Sequence, residues 1–75
     1  MNIETRMLRA VTAFARRECG LRGVRGVVAV RVTGTRDLGG VFQCYRPASG
    51  GGQTSVGPNI HCTSSGACER RGRGD

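Results

Sequence analysis

Lysine and tryptophan are absent from this chain, and tyrosine occurs once, at Tyr45. The permanently charged basic side chains are therefore all arginines, and their surplus over acidic side chains gives a formal charge of +7. An all-arginine composition can reflect a GC-rich genome, so it says little about bidentate phosphate recognition. The charge itself favours polyanions or an acidic protein surface. Because base stacking needs aromatic side chains, we expect any nucleic-acid binding to be electrostatic and not sequence-specific.

Long apolar runs are also missing. The longest run, VVAV at 27–30, is far too short to cross a membrane. Residues 1–18 interleave arginines with apolar residues and contain no apolar stretch of the length that a secretory signal needs. We therefore expect a cytoplasmic protein without membrane contact, in a compartment where structural disulfides are disfavoured.

The apolar content is small even for a short chain. Seventeen residues are Val, Ile, Leu, Met or Phe, and 13 of the 75 residues are glycine. Ordering each residue costs about 1.5 kcal/mol, which a core of this size offsets only narrowly. We expect one small domain that gains further stability from a metal, a disulfide, a second copy or a bound partner.

Residues 3–18 have the pattern of an amphipathic helix. Asn2 is a suitable N-cap, and Gly20 is a suitable stop. The apolar face comprises Ile3, Met7, Ala10, Val11 and Phe14, with Leu8 and Ala15 at its border. The other side carries Arg6, Arg9, Arg16 and Arg17. This stripe is either the solvated back of a core-packing helix or a surface that follows a phosphate backbone or an acidic partner.

Residues 24–46 indicate a β-hairpin, in which the strands VRGVVAVRVT and VFQCYR are joined by the turn GTRDLGG. Alternation places the valines of the first strand on one face, namely Val28, Val30 and Val32. In the second strand Phe42 and Cys44 share a face. We expect the helix to pack on a face that combines these valines with Phe42 and Cys44.

The composition changes after the hairpin. Residues 47–68 contain no formally charged side chain, and ASGGGQTSVG within them is typical of a linker or a long mobile loop. The segment PNIHCT predicts a short edge strand, with Ile60 and Cys62 facing one way and His61 the other. Residues 69–75, ERRGRGD, lack apolar side chains, so we expect a disordered basic tail.

Together these segments predict the α+β class. Residues 1–68 are expected to form one small domain, with a helix at about 3–18, a hairpin at about 24–46, and a loop and short strand over 47–68. The N-terminal helix packs on an antiparallel sheet of two or three strands.

The candidate metal ligands are the single histidine and the four cysteines: His61, Cys19, Cys44, Cys62 and Cys68. Zinc usually takes two close ligand pairs such as C-x2-C, whereas the closest pair here is Cys62-x5-Cys68. A zinc site from Cys44, Cys62 and Cys68 with either Cys19 or His61 is geometrically allowed. The alternatives are a disulfide in an oxidising setting, Cys62–Cys68 or Cys44–Cys62, and burial of Cys19 and Cys44 as small apolar side chains. No other cofactor is expected.

A catalytic constellation is not evident. Nucleophilic catalysis by His61 and a cysteine would need an orienting carboxylate and a preorganised pocket, and a chain this short leaves little wall for a pocket. We therefore expect a non-enzymatic protein.

The distribution of arginines is the strongest functional signal. Arg16, Arg17, Arg22 and Arg25 crowd the end of the helix and the segment that follows it, and Arg70, Arg71 and Arg73 make the tail basic. With Arg6 and Arg9 they form the expected binding set of a small basic regulatory protein that contacts nucleic acid or a nucleoprotein complex. The alternative is a stoichiometric inhibitor or adaptor that binds protein, such as a phage or mobile-element anti-defence protein of the anti-CRISPR kind. A homodimer is compatible with either interpretation.

Overall fold

One helix and four antiparallel strands form the structure, a computed structural model that describes residues 2–35 and 37–72. The elements are α1 Ile3–Glu18, β1 Val28–Thr35, β2 Gly39–Pro47, β3 Gln53–Thr63 and β4 Cys68–Arg70. The strands lie in the sheet in chain order, β1-β2-β3-β4, and α1 packs on one face of that sheet. The α+β class and the helix-on-sheet arrangement are confirmed, and the sheet has four strands where two or three were expected.

Helix α1 has the bounds that its sequence signals predict. The Thr5 N–H donates to Asn2 Oδ1 at 2.7 Å, so Asn2 caps the helix. At the other end Gly20 has a φ of +75°, and the Leu21 N–H returns to the Ala15 carbonyl at 3.3 Å. No helix of the described residues is long and apolar enough to cross a membrane.

The core lies between α1 and the covered face of the sheet. Its buried side chains are Met7, Val11, Ala15, Leu21, Phe42, Cys44, Ile60 and Cys62. The buried stripe of α1 is centred on Val11, so Ala15 is fully buried although it was expected at the border of the apolar face. Ile3, which was expected within that face, is 40 % exposed.

The valines of β1 face away from the helix, so the expectation that they share a face with Phe42 and Cys44 is wrong. Val28 lies opposite Tyr45 and Val30 opposite Gln43. A β-bulge between Arg31 and Thr33 is the physical reason. If pairing continued regularly from Thr33, which lies opposite Val41, then Val30 would lie opposite Cys44 and face the helix. The bulge adds one residue to β1, so Val30 lies opposite Gln43 instead and faces away from the helix.

Strand β3 occupies much of the segment that was expected to be a linker. It begins at Gln53 and runs for 11 residues between β2 and β4, so PNIHCT is the second half of an inner strand and not a short edge strand. The opposite facing of Ile60 and His61 is as predicted. Gly57 and Pro58 lie where the register with β2 shifts. The bulge accommodates the missing N–H of Pro58 and the φ of +75° at Gly57.

Strand β4 includes residues that were expected in a disordered tail. Glu69 lies opposite His61, and Arg70 lies opposite Ile60. Arg71 continues the pairing, because its N–H donates to the Asn59 carbonyl at 2.8 Å. The tail expectation was wrong for these residues because backbone hydrogen bonding to β3 does not require apolar side chains. Its last part, residues 73–75, lies outside the described residues.

Candidate functional site

A three-residue repeat shapes the loop between α1 and β1. Residues 20–27, GLRGVRGV, repeat glycine, an apolar residue and arginine. The glycines at 20, 23 and 26 all have positive φ, between +71° and +90°, which an L side chain rarely adopts. The apolar positions turn towards the core, with Leu21 buried and Val24 and Val27 half-buried. Arg22 and Arg25 consequently project into solvent from the same loop.

Three arginines converge on one depression of about 550 Å³. Arg16 reaches it from the last turn of α1, and Arg22 and Arg25 reach it from the loop. The rest of its lining is Gly23, Val24 and Gly26, so no acidic side chain of the described residues contributes. Within the described residues, no carboxylate forms a salt bridge with these three arginines.

A second groove, of about 460 Å³, continues from this depression between α1 and β1. Arg16 lines both concavities, and Arg9 lines the groove about two helical turns earlier on the same side of α1. Much of its surface is apolar, from Leu8, Ala13, Val27, Val28 and Ala29. We call Arg9, Arg16, Arg22 and Arg25 the arginine surface. It is one continuous basic strip along the helix and its exit loop.

Two of the predicted arginines contact the C-terminal end of α1. Arg17 forms a salt bridge with Glu18 at 2.9 Å, and its guanidinium lies 5.9 Å from the centre of the Phe14 ring. Arg70 donates a hydrogen bond from Nη2 to the Glu18 carbonyl. Because helix C-termini leave carbonyls without backbone partners, Arg70 stabilises that end of the helix. Both arginines thus have structural contacts, whereas no hydrogen bond or salt bridge with another described residue is made by the side chains of the arginine surface.

Arg31 was not predicted as a site residue, and it has a structural role. Its guanidinium forms a salt bridge with Glu4 of α1 and donates to the Gly39 carbonyl at 3.0 Å. It also lies 4.8 Å from the centre of the Phe42 ring. The β1 bulge that turns the valines outward is what points Arg31 towards the helix.

The remaining predicted arginines lie apart from these concavities. Arg6 is exposed on α1 and lines neither of them, and Arg71 is exposed after β4. Arg73 lies outside the described residues. Of the eight predicted arginines that the structure describes, four therefore line these concavities and four lie elsewhere.

Two of the four cysteines are joined. Cys62 of β3 and Cys68 of β4 are directly opposite each other and form a disulfide. Cys44 is buried, and its burial, together with the neighbouring Cys19 thiol, raises its pKa. The thiols left for a zinc site are thus Cys19 and Cys44. In the part of the chain that is described, no three His, Cys, Asp or Glu side chains are grouped as metal ligands.

His61 has a carboxylate neighbour that the sequence did not reveal. Glu69 lies directly opposite it across β3 and β4, and Val41 lies opposite it on the other side. These side chains occupy the face of the sheet away from α1, whereas Cys62 points into the core. The pairing of His61 with Glu69 therefore lacks a cysteine nucleophile on its own face.

Aromatic side chains are absent from the lining of both concavities. Tyr45 lies on the face of the sheet away from α1, where its hydroxyl donates to Gln43 Oε1 at 3.3 Å. Phe42 is fully buried, and Phe14 is packed against the core. Stacking on bases at the arginine surface is therefore not provided by the described residues.

The repeat in the loop could have been recognised from the sequence. Gly20, Gly23 and Gly26 recur at every third position, each followed by an apolar residue, and Arg22 and Arg25 precede the next glycine. Sequence analysis placed Arg16, Arg22 and Arg25 in one region. Their convergence on one depression depends on the path of the loop, which residue spacing alone does not specify.

Comparison of the chain with protein-family models, with curated proteins and with solved structures finds no match.

Proposed function

We propose that this chain is a non-enzymatic binding protein whose arginine surface contacts the phosphate backbone of nucleic acid, alone or within a nucleoprotein complex, in a regulatory role. The observation that supports the proposal is the convergence of Arg16, Arg22 and Arg25 on one depression to which no acidic side chain in residues 2–35 and 37–72 contributes. Guanidinium groups donate several hydrogen bonds in a plane and keep their charge at all physiological pH values, which suits them to phosphate oxygens.

The physical properties of the surface determine the kind of binding. Each phosphate that an arginine neutralises releases counterions, so the affinity falls steeply as salt rises. Affinities of about 10⁻⁴ to 10⁻⁶ M at physiological salt are typical of such contacts. Because no aromatic side chain of the described residues lines the surface, DNA of any sequence should bind with comparable strength, and duplex more tightly than single strands because its charge density is higher.

The test is a salt titration of binding to a fluorescent DNA duplex, with two adjacent residues compared. Arg16→Gln removes a charge from the depression, and Arg17→Gln removes the same charge from a residue paired with Glu18. We expect Arg16→Gln to weaken binding at least threefold more than Arg17→Gln and to reduce the salt dependence. Equal effects of the two substitutions would show that only net charge matters.

The compartment is part of the proposal. We place the protein in the cytoplasm, where a nucleic-acid target is accessible and where reducing conditions would keep Cys62 and Cys68 as thiols. The disulfide between Cys62 and Cys68 joins strands away from the arginine surface. Binding should therefore be the same with and without a reductant, measured on one protein preparation.

A protein partner is the second candidate, favoured by the apolar lining of the groove between α1 and β1. A phosphate backbone would gain no binding energy from these apolar side chains, whereas a protein segment with acidic and apolar side chains could contact both Arg9 and Leu8. An inhibitor or adaptor of the anti-defence kind would bind in this way. Absence of nucleic-acid binding at low salt would favour this candidate, and capture of a host complex that Arg9→Glu abolishes would support it.

A further inference from the structure

The face of the sheet that α1 does not cover carries an apolar patch. We call this side of the sheet the open face. Val28 and Val30 of β1 lie on it and are 47 % and 42 % exposed. Val28 belongs to an edge strand, so it also borders the groove between α1 and β1. Val41 and Tyr45 of β2 lie beside them and are half-buried. Exposed valines in adjacent positions of a small sheet form the kind of contiguous patch that marks an interaction surface.

Exposed apolar side chains are concentrated around this patch. Among the described residues, the large hydrophobic side chains with substantial exposure are Ile3, Val28, Val30, Val32 and Leu38. Three of the five belong to β1, and Leu38 belongs to the turn that connects β1 with β2. The patch is therefore a localised property of the hairpin, unlike the single exposed apolar residues found on most protein surfaces.

The open face differs in charge from the rest of the molecule. Alternation places the arginines of the strands, Arg31, Arg46 and Arg70, on the side of the helix. Among the strand residues on the open face, the ionisable side chains are those of His61, Glu69 and Tyr45. Arg71 follows β4 opposite Asn59 and adds one arginine at the edge of this face. In a chain of charge +7 the open face thus carries little of the positive charge. A second copy of the chain presents a matching apolar face of low charge.

Both edges of the sheet are poor sites for pairing with another strand. Edge strand β1 is interrupted by its bulge, and Arg31 within it points inward. Edge strand β4 has only three residues. Bulges, inward charges and short edges are the features by which natural sheets avoid extension. Association through the sheet is therefore expected to use its face.

The size of the open face matches a weak dimer. The four strands have 8, 9, 11 and 3 residues, and at about 3.3 Å along the strand and about 4.8 Å across it for each residue the face covers about 500 Å². Two such faces in contact would bury about 1,000 Å² in total, the lower limit for a specific interface. The area is sufficient for reversible association and too small for an obligate dimer.

We propose that the open face is the interface of a homodimer, in which two sheets pack face to face with the two α1 helices on the outside. The contact is isologous, with the valines of β1 and β2 from each copy at its centre. The two arginine surfaces then lie on opposite outer sides of the dimer. The dimer does not depend on nucleic-acid binding, since no residue of the arginine surface lies on the open face.

The experiment is sedimentation equilibrium of the full chain without nucleic acid, over loading concentrations from about 10 μM to about 1 mM. The wild-type protein is expected to change from monomer to dimer within this range. Val30→Glu places a charge at the centre of the interface and should leave a monomer throughout. Val30→Thr, which preserves the shape of the side chain, should weaken association at least fivefold while retaining the circular-dichroism spectrum of the monomer.

The control is Ser49→Glu, which adds the same charge in the exposed loop between β2 and β3. It should dimerise like the wild type. Higher salt should leave the dimer unchanged or strengthen it, because the interface is apolar and salt screens the repulsion between two copies of like charge. Nucleic-acid binding, in contrast, should weaken as the salt concentration rises. A wild-type protein that stays monomeric at every concentration would overturn the proposal, as would a Val30→Glu variant that still dimerises.

Discussion

Replacing Arg31 with methionine removes the side chain that links α1 to the β1–β2 hairpin. The arginine is only 16 % exposed in its side chain, and its partner Glu4 is 27 % exposed. Methionine keeps an apolar stem against the Phe42 ring but cannot donate to the Gly39 carbonyl or pair with Glu4. The substitution therefore tests the polar link separately from packing.

The expected loss follows from these contacts. A hydrogen bond from a charged donor contributes about 1.5–3 kcal/mol, and a cation over an aromatic ring contributes about 0.5–1 kcal/mol near the surface. Part of this is recovered by the methionine stem, so Arg31→Met should lower the free energy of unfolding by about 2–3 kcal/mol. For a domain of this size that is a fall in Tm of about 10–20 °C.

The assay is urea unfolding followed by circular dichroism, with Arg22→Met as the control. Arg22 is exposed and has no carboxylate partner in the described structure, so its replacement should change stability by less than about 0.5 kcal/mol. A double-mutant cycle of Arg31→Met with Glu4→Gln should show a coupling of at least about 0.5 kcal/mol. Equal small losses for Arg31→Met and Arg22→Met, or no coupling with Glu4, would refute the structural role of Arg31.

Two further predictions concern the cysteines. Reduction of the Cys62–Cys68 disulfide should lower the free energy of unfolding by about 2 kcal/mol, because it opens a short covalently closed loop. Thermal unfolding with and without reductant measures this loss, and an unchanged Tm would contradict it. Burial, and to a smaller extent the neighbouring Cys19 thiol, raises the pKa of Cys44 in the folded protein. As pH rises through the ordinary thiol range, Cys44 therefore loses its proton in the unfolded chain before it does so in the folded protein, and the free energy of unfolding falls. Cys44→Ala should remove that part of the pH dependence in unfolding titrations from neutral to alkaline pH, and a wild-type profile that stays flat would argue against the buried thiol.

Helix α1 could be predicted in detail because its signals are local. An N-cap at Asn2, an apolar stripe with helical periodicity and a stop at Gly20 all act within one element. The alternation of residues within each strand is local too, and Ile60 and His61 were assigned to opposite faces for that reason.

The face that receives the helix could not be predicted, because it depends on one residue in the hairpin. The bulge at Val32 turns Val28 and Val30 away from the core and points Arg31 into it. Nothing in the local alternation of VRGVVAVRVT marks a bulge there. The bulged conformation is stabilised by the salt bridge between Arg31 and Glu4, which are distant in sequence and meet only in the folded chain.

The extent of the sheet was underestimated for a related reason. Glycine usually marks loops, so the glycines of ASGGGQTSVG favoured a linker, yet β3 begins within that segment at Gln53 and Gly57 occupies a bulge of the strand. Pairing with β2 holds the first part of β3 extended, and pairing with β4 adds to it at Ile60, His61 and Cys62. The region of the arginine surface could be predicted from the sequence. Its shape could not, because it depends on the path of the loop between α1 and β1.

Affinity for a short DNA duplex, followed as a function of salt, measures how many phosphates the arginine surface neutralises. Each contact contributes a slope of about −0.9 in log K against log salt. The double variant Arg22→Gln/Arg25→Gln should reduce the slope by about 2, whereas Arg17→Gln/Arg71→Gln, with the same net charge, should change it by less than about 0.5. Equal reductions for the two variants, or a wild-type slope near zero, would contradict a phosphate-binding arginine surface.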